Sequence, residues 1–163
     1  MFAVNDYVVC KKDGVCRIAD IRPVSGRETK ADLPFYILEP FLHPGDTVSL
    51  PVGSDLIARR IMTREEATEI LDRVPYIRTI QAPREKIRNE FYAEAMDSFE
   101  CIEWIKIIKT VYVRKKDGLL SDTELAYEAA AQKYFYSELA VVLGIPYDAV
   151  EKYIVRYVKN SFK

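Results

Sequence analysis

The hydrophobic period of the chain changes once, near Thr63, and that change limits the folds open to it. Before Thr63, β-branched and apolar residues gather in short runs at 4–10, 15–21, 35–40 and 47–52. Turn residues separate them: Lys11-Lys12-Asp13-Gly14, the polar run Ser25-Gly26-Arg27-Glu28-Thr29-Lys30, and Gly45-Asp46. Gly14 can take the positive φ that a tight hairpin needs. Four or five short, closely spaced strands in some 60 residues predict a small SH3-like or Tudor-like barrel.

After Thr63 the spacing is helical. Thr63 and Glu66 form a capping box, and Ala67, Ile70, Leu71 and Val74 follow at helical intervals until Pro75. Pro83 suits the first position of a second helix running to about Met96. Asp97 with Glu100 predicts the cap of a third helix, apolar almost all round except for the line Glu100, Glu103, Lys106, Lys109, and so central to a bundle. Ser121 and Glu124 open a long helix to Leu143, with Gly144 as its stop and Pro146 starting the last one. The predicted fold class is α+β with two domains: an N-terminal SH3/Tudor-like β-barrel and a C-terminal all-α helical bundle. The expected division is 1–75, a barrel of about 1–61 plus a trailing helix, and 76–163.

Composition narrows the function. The 163 residues are 49% hydrophobic, enough for a packed core. The longest apolar stretches fall short of the roughly 18 to 20 residues that cross a bilayer, and Met1-Phe2-Ala3-Val4-Asn5 lacks the basic start of a secretory signal. A cytoplasmic protein without membrane contact is expected. Cys10, Cys16 and Cys101 cannot all pair, and the single His43 lies far from them in sequence, at a turn. Neither the spacing nor the number of ligands suits zinc, so no metal or cofactor is expected, and Cys10 and Cys16 read as small side chains filling a hairpin core. With 24 basic and 25 acidic residues, nucleic-acid binding would need a local patch.

No GxSxG, P-loop, GxGxxG or HExxH motif is present, and no base, nucleophile and orienting group cluster as catalysis requires. A non-enzymatic role is the expectation. The run 138–157, with Gly144 at its turn, has helix-turn-helix spacing, although Tyr147, Asp148 and Glu151 would bring carboxylates toward phosphates. Arg78, Arg84, Lys86 and Arg88 surround the start of the second helix, where the dipole prefers acids, and so suggest phosphate contact. Arg114-Lys115-Lys116 ends the third helix, where bases are favoured anyway. Trp104 could stack on a base, but its apolar helix predicts a core role.

Taken together, the two halves resemble the CarD/CdnL family. Val4-Asn5-Asp6-Tyr7-Val8-Val9-Cys10 and Asp13-Gly14-Val15-Cys16-Arg17-Ile18 are similar to that family's V-G-D-x-V-V-Y-P-x-H-G-V-G-x-I opening. Tyr36-Ile37-Leu38 and Val48-Ser49-Leu50-Pro51-Val52 resemble its next strands, and Leu120-Ser121 through Glu124, then Glu138-Leu139-Ala140, its helical domain. The resemblance implies a bacterial transcription regulator, expected as a monomer. Its Tudor-like domain would pair a sheet edge, here Val48, Ser49, Leu50 and Pro51, with the RNA polymerase β subunit. An assisting arginine of the family aligns with Ser49. The helical domain would touch promoter DNA without reading sequence, through Arg84, Lys86 and Arg88. The family's wedge tryptophan falls near Glu85, and Trp104 aligns with a buried aliphatic, so phosphate contact is implied without the wedge. The alternatives are a stand-alone helix-turn-helix repressor and a Tudor-like scaffold that binds a protein tail.

Overall fold

A computed structural model of the chain describes residues 1–23 and 34–162. The polar run 25–30 lies outside the described residues. Two compact units divide at Met1–Ile61 and Met62–Lys163.

The first unit is a five-stranded antiparallel sheet: β1 Tyr7–Cys10, β2 Gly14–Arg22, β3 Phe35–Pro40, β4 Val48–Pro51 and β5 Ile57–Arg60. The strand order is β4-β3-β2-β1-β5, so β4 and β5 stand at the two margins. Gly14, at φ 71°, closes the β1–β2 hairpin opposite Cys10. Its left-handed conformation is the one a side chain would oppose. One face gathers Val8, Cys10, Cys16, Ile18, Tyr36, Leu38 and Leu50 into the core, as the period of two along a strand requires. Cys10 and Cys16 lie in that core at 1% and 0% exposure. Their thiols share a hydrogen bond, which together with burial pushes the Cys16 thiol up.

The second unit is helical: α1 Arg64–Arg73, α2 Glu85–Asp97, α3 Cys101–Lys116, α4 Asp122–Leu143 and α5 Val150–Asn160, with single 3-10 turns at Val74–Tyr76 and Tyr147–Ala149. The Thr63 hydroxyl accepts from Glu66 N at 3.1 Å and the Glu66 carboxylate accepts from Thr63 N at 3.0 Å, the reciprocal capping box that starts α1. The sequence suggests that α1 trails the barrel within 1–75. Instead it lies in the helical unit, because Ala67 and Leu71 are buried, the helix packs on α4 and α5, and Arg64 donates to the Leu143 carbonyl. The third helix also starts differently. Asp97 is the last residue of α2, Glu100 is the N-cap of α3, and Ser98 Oγ accepts from Glu100 N at 3.1 Å. Between them Phe99 takes φ 54° and packs edge-on against Trp104 and Tyr134. That aromatic contact outweighs the local capping pattern.

α3 packs against α2 and α4. It buries Cys101, Trp104, Ile105, Ile107, Thr110 and Val111, while Tyr112 remains 57% exposed. α4 ends at Gly144, φ 66°, where Gly144 N and Ile145 N bond back to the Val141 and Ala140 carbonyls.

Two buried carboxylates tie these helices together. Glu124, 1% exposed, accepts Arg114 Nε at 2.6 Å and Nη2 at 2.9 Å, and also accepts the Tyr92 hydroxyl at 2.9 Å. Burial alone would raise its pKa, but the Arg114 fork and the Tyr92 hydroxyl hold the carboxyl below the usual glutamate range. Burial and the same bond to Glu124 raise Tyr92. Glu138, fully buried, accepts Met62 N at 2.9 Å and the Cys101 thiol at 3.4 Å. The Ser-x-x-Glu and Glu-Leu-Ala runs are thus capping and core positions.

A group with a depressed folded pKa stabilises the fold above its unfolded pKa and loses that contribution as pH falls through the folded value. Glu124→Gln should therefore lower stability at neutral pH by about 3 kcal/mol, as breaking one partner of a buried pair does. It should also flatten the loss of melting temperature below the ordinary glutamate pKa of 4.5. Thermal melts of both proteins from neutral to acid pH check this, and parallel profiles would refute it.

Candidate functional site

The phase of the β3–β4 ladder decides what β4 offers to a partner. Val52 N donates to the Pro34 carbonyl at 2.8 Å, and the register continues through Phe35↔Pro51, Tyr36↔Leu50, Ile37↔Ser49 and Leu38↔Val48. In an antiparallel pair, hydrogen-bonded and non-hydrogen-bonded residues alternate. Leu50 and Val48 therefore turn their N–H and C=O toward β3, and Ser49 and Pro51 turn theirs away. Side chains follow the same alternation, with Val48 half-buried, Leu50 buried, and Ser49 and Pro51 exposed. The four residues predicted for this edge thus separate into two that build the sheet and two that face outward. Proline has no N–H, so Ser49 supplies the only outward donor within β4. Among the described residues no strand pairs with that margin.

The opposite margin is blunted. β5 pairs with β1 through an irregular register between Val9 and Cys10, while Ile61 N donates to the Tyr7 carbonyl. The same alternation turns Arg60 outward, and its carbonyl already accepts Arg59 Nη1 at 3.1 Å. Bulges, charge and self-satisfied groups are how proteins close an edge to other strands.

In the helical unit the predicted basic trio lies at the start of α2, with Arg88 one turn after Arg84. Arg84 is the N-cap of α2 without a side-chain capping bond, and Lys86 lies exposed in the first turn. Arg88 is half-buried, and its charge acts on the Tyr92 phenol only weakly against the stronger effect of burial. Glu85, between them, acts on Arg114. Arg78 is exposed and lines a shallow cleft with Glu94, Glu103 and Lys106. Trp104 is fully buried, stacked on Tyr134 at 5.3 Å between ring centroids, and so belongs to the core.

The helix-turn-helix candidate 138–157 starts inside the core, with Glu138, Leu139 and Ala140 all buried. α5 packs on α1 and α4, and the Tyr157 hydroxyl donates to Asp72 Oδ1 at 2.5 Å. Among the described residues no three His, Cys, Asp or Glu side chains gather as a metal site, and no described helix is long and apolar enough to cross a membrane. A signal missed in the sequence is the phase of β4, since nothing in Val48-Ser49-Leu50-Pro51 by itself says which amide faces out.

Comparison with known families bears on the first unit. The sequence profile of the CarD-like/TRCF RID domain matches residues 2–62, the whole five-stranded sheet. No curated protein shows a significant match to the chain. The match runs over the full sheet, from β1 through β4 to β5, so the N-terminal unit is similar to the CarD-like/TRCF RID domain.

Proposed function

We propose that this protein is a transcription regulator that docks on the β subunit of RNA polymerase through its N-terminal sheet, read as the Tudor-like barrel of the family. Its helical unit then modulates open-complex formation at promoter DNA. The RID domain is an interaction module rather than a catalytic one and points to RNA polymerase as partner. The observation that carries the reading is the outer margin of β4, unpaired among the described residues, where the N–H and carbonyl of Ser49 are directed away from β3, while the Pro51 carbonyl already accepts Ser54 N at 3.0 Å. An extended partner segment pairing there gains main-chain hydrogen bonds, a mode that tolerates varied side chains on the receiving strand. A serine at the position of the family's arginine is compatible with such docking.

DNA contact is assigned to the start of α2. Arg84 and Lys86 project where the free N–H groups of a helix N-terminus also favour phosphate. Arg88 contributes at longer range from its place beside Tyr92. With no aromatic at Glu85, this contact holds the backbone and unstacks nothing.

Substitutions separate backbone pairing from side-chain contact. Ser49→Pro removes the outward donor and should abolish co-purification of RNA polymerase with a folded protein, whereas Ser49→Ala keeps that donor and should bind like the parent. Val48→Pro removes a donor to the Leu38 carbonyl and should instead destabilise the sheet by about 1 to 3 kcal/mol, the cost of one unmet buried hydrogen bond. Pull-down and thermal melts of the three variants read this. Retained polymerase binding by Ser49→Pro would rule out pairing at this edge. Changing Arg84, Lys86 and Arg88 together to alanine should reduce the salt dependence of DNA-linked activity by about 0.9 slope units for each phosphate no longer neutralised, and an unaltered slope would remove the trio from the mechanism.

A further inference from the structure

The helical unit carries a second run of cations, on the exposed face of α5, that its own fold does not use. Residues 152–163 contain Lys152, Arg156, Lys159 and Lys163 and no aspartate or glutamate. Lys152, Arg156 and Lys159 are exposed, and none makes an ion pair among the described residues. At about 100° per residue the three fall within roughly 60° of arc, and at 1.5 Å per residue they span about 10 Å along the axis. Asn160 lies beside them in a shallow depression. Glu151 also borders that depression, at its start, and acts on Tyr136 and Glu128 of α4 without an ion pair to the three cations among the described residues.

Folding gives little reason for this arrangement. Like charges three and four residues apart destabilise a helix, and Lys152 stands in the first turn, where the dipole disfavours a cation. Only Lys159, in the last turn, has a dipole to favour it. The contrast with α3 is instructive, because residues 104–116 are also basic and free of acids. There Lys106 pairs with Glu103, Lys109 donates to the Val74 and Ile77 carbonyls, Arg114 grips Glu124 and Lys116 sits 4.6 Å over the Tyr112 ring. On α3 most of the cations have a partner inside the fold, and on α5 the three do not.

We propose that this face of α5 is a further nucleic-acid contact, in which Lys152, Arg156 and Lys159 track the phosphodiester backbone of duplex DNA. The proposal rests on the reading that the helical unit works beside DNA and adds a surface to it. A row of fixed cations complements a row of regularly spaced phosphates, and the acidic start of the helix, Asp148 and Glu151, keeps the contact on the backbone and away from base edges. A bilayer fits less well. Val150 is buried and Tyr153, Ile154, Tyr157 and Val158 are half-buried in packing, so apart from Val155, 48% exposed, the helix has little apolar surface to insert.

The test is fluorescence anisotropy of the full chain with a short mixed-sequence duplex over a salt series. The probe is run on the parent, on Lys152→Gln/Arg156→Gln/Lys159→Gln, and on the charge-keeping Lys152→Arg/Arg156→Lys/Lys159→Arg. The glutamine triple should weaken binding at low salt at least tenfold and reduce the slope of log affinity against log salt by about 2 to 3 units. The charge-keeping triple should match the parent. An unchanged slope in the glutamine triple, or no duplex binding by the parent at low salt, overturns the proposal. So does equal or tighter binding of polyglutamate or of anionic vesicles that the glutamine triple also loses. Polymerase co-purification separates the two readings: Ser49→Pro should leave the anisotropy slope intact, and the glutamine triple should still retain polymerase.

Discussion

The burial of Leu50 beside Tyr36 and Leu38 sets the phase of β4, and through it the surface offered to a partner. Strand side chains alternate with a period of two, and so do the directions of their main-chain groups. Slipping the register by one residue would bring Leu50 to solvent and Ser49 into the core. Full burial of a leucine is worth roughly 1.5 to 3 kcal/mol, so the core resists that slip. The same few kilocalories that hold Leu50 inward therefore hold the Ser49 N–H outward. Docking chemistry at this margin is a consequence of core packing on the other face of the strand.

The two margins of the sheet also differ in how they meet solvent. At β5 the chain turns its own arginines back: Arg59 covers the Arg60 carbonyl, Arg60 reaches the Ile61 carbonyl at 2.9 Å, and the register against β1 is broken. At β4 the exposed side chains are a serine and a proline; Ser54 N covers the Pro51 carbonyl at 3.0 Å, and among the described residues none covers the Ser49 carbonyl. Pro51 also limits pairing, since it has no N–H and its carbonyl already accepts Ser54 N.

How much of this was legible in the sequence depends on how local each cause is. The capping residues Thr63, Glu66, Ser121 and Gly144 act within one turn of chain, and their helices start or stop where the sequence places them. Asp97 with Glu100 carries the same local pattern, yet Phe99 reaches Trp104 and Tyr134 and moves the boundary. Ile57-Ala58-Arg59-Arg60 looks polar by itself and becomes a strand because β1 has a second edge to fill. Glu138 reads as one charge in an apolar run, and its bond to Met62 N spans 76 residues. At the edge, composition identifies the strand but not its partner, and the phase that Leu50 burial sets becomes visible only in the β3–β4 pairing, where Val52 N meets the Pro34 carbonyl.

The same distinction governs the charges of the helical unit. A sequence shows where cations lie along a helix but not which of them the fold consumes, and the answer divides the basic residues in a way their clustering does not suggest. Arg114, in the densest basic run, is held by a carboxylate 1% exposed. Lys109 loses water to cap two carbonyls, and that burial lowers its pKa. With these committed, the positive charge left for a polyanion includes Arg84 and Lys86 at the start of α2 and the row on α5. A unit of nearly balanced charge can attract phosphate only through such leftovers, because its acids and internally paired bases cancel at any distance beyond about a Debye length, roughly 8 to 10 Å at physiological salt. Contact would then be short-ranged, steeply salt-dependent and weak in the free chain. Such a surface gains most when another attachment, at the β4 edge, first holds it near its target, as effective concentration requires.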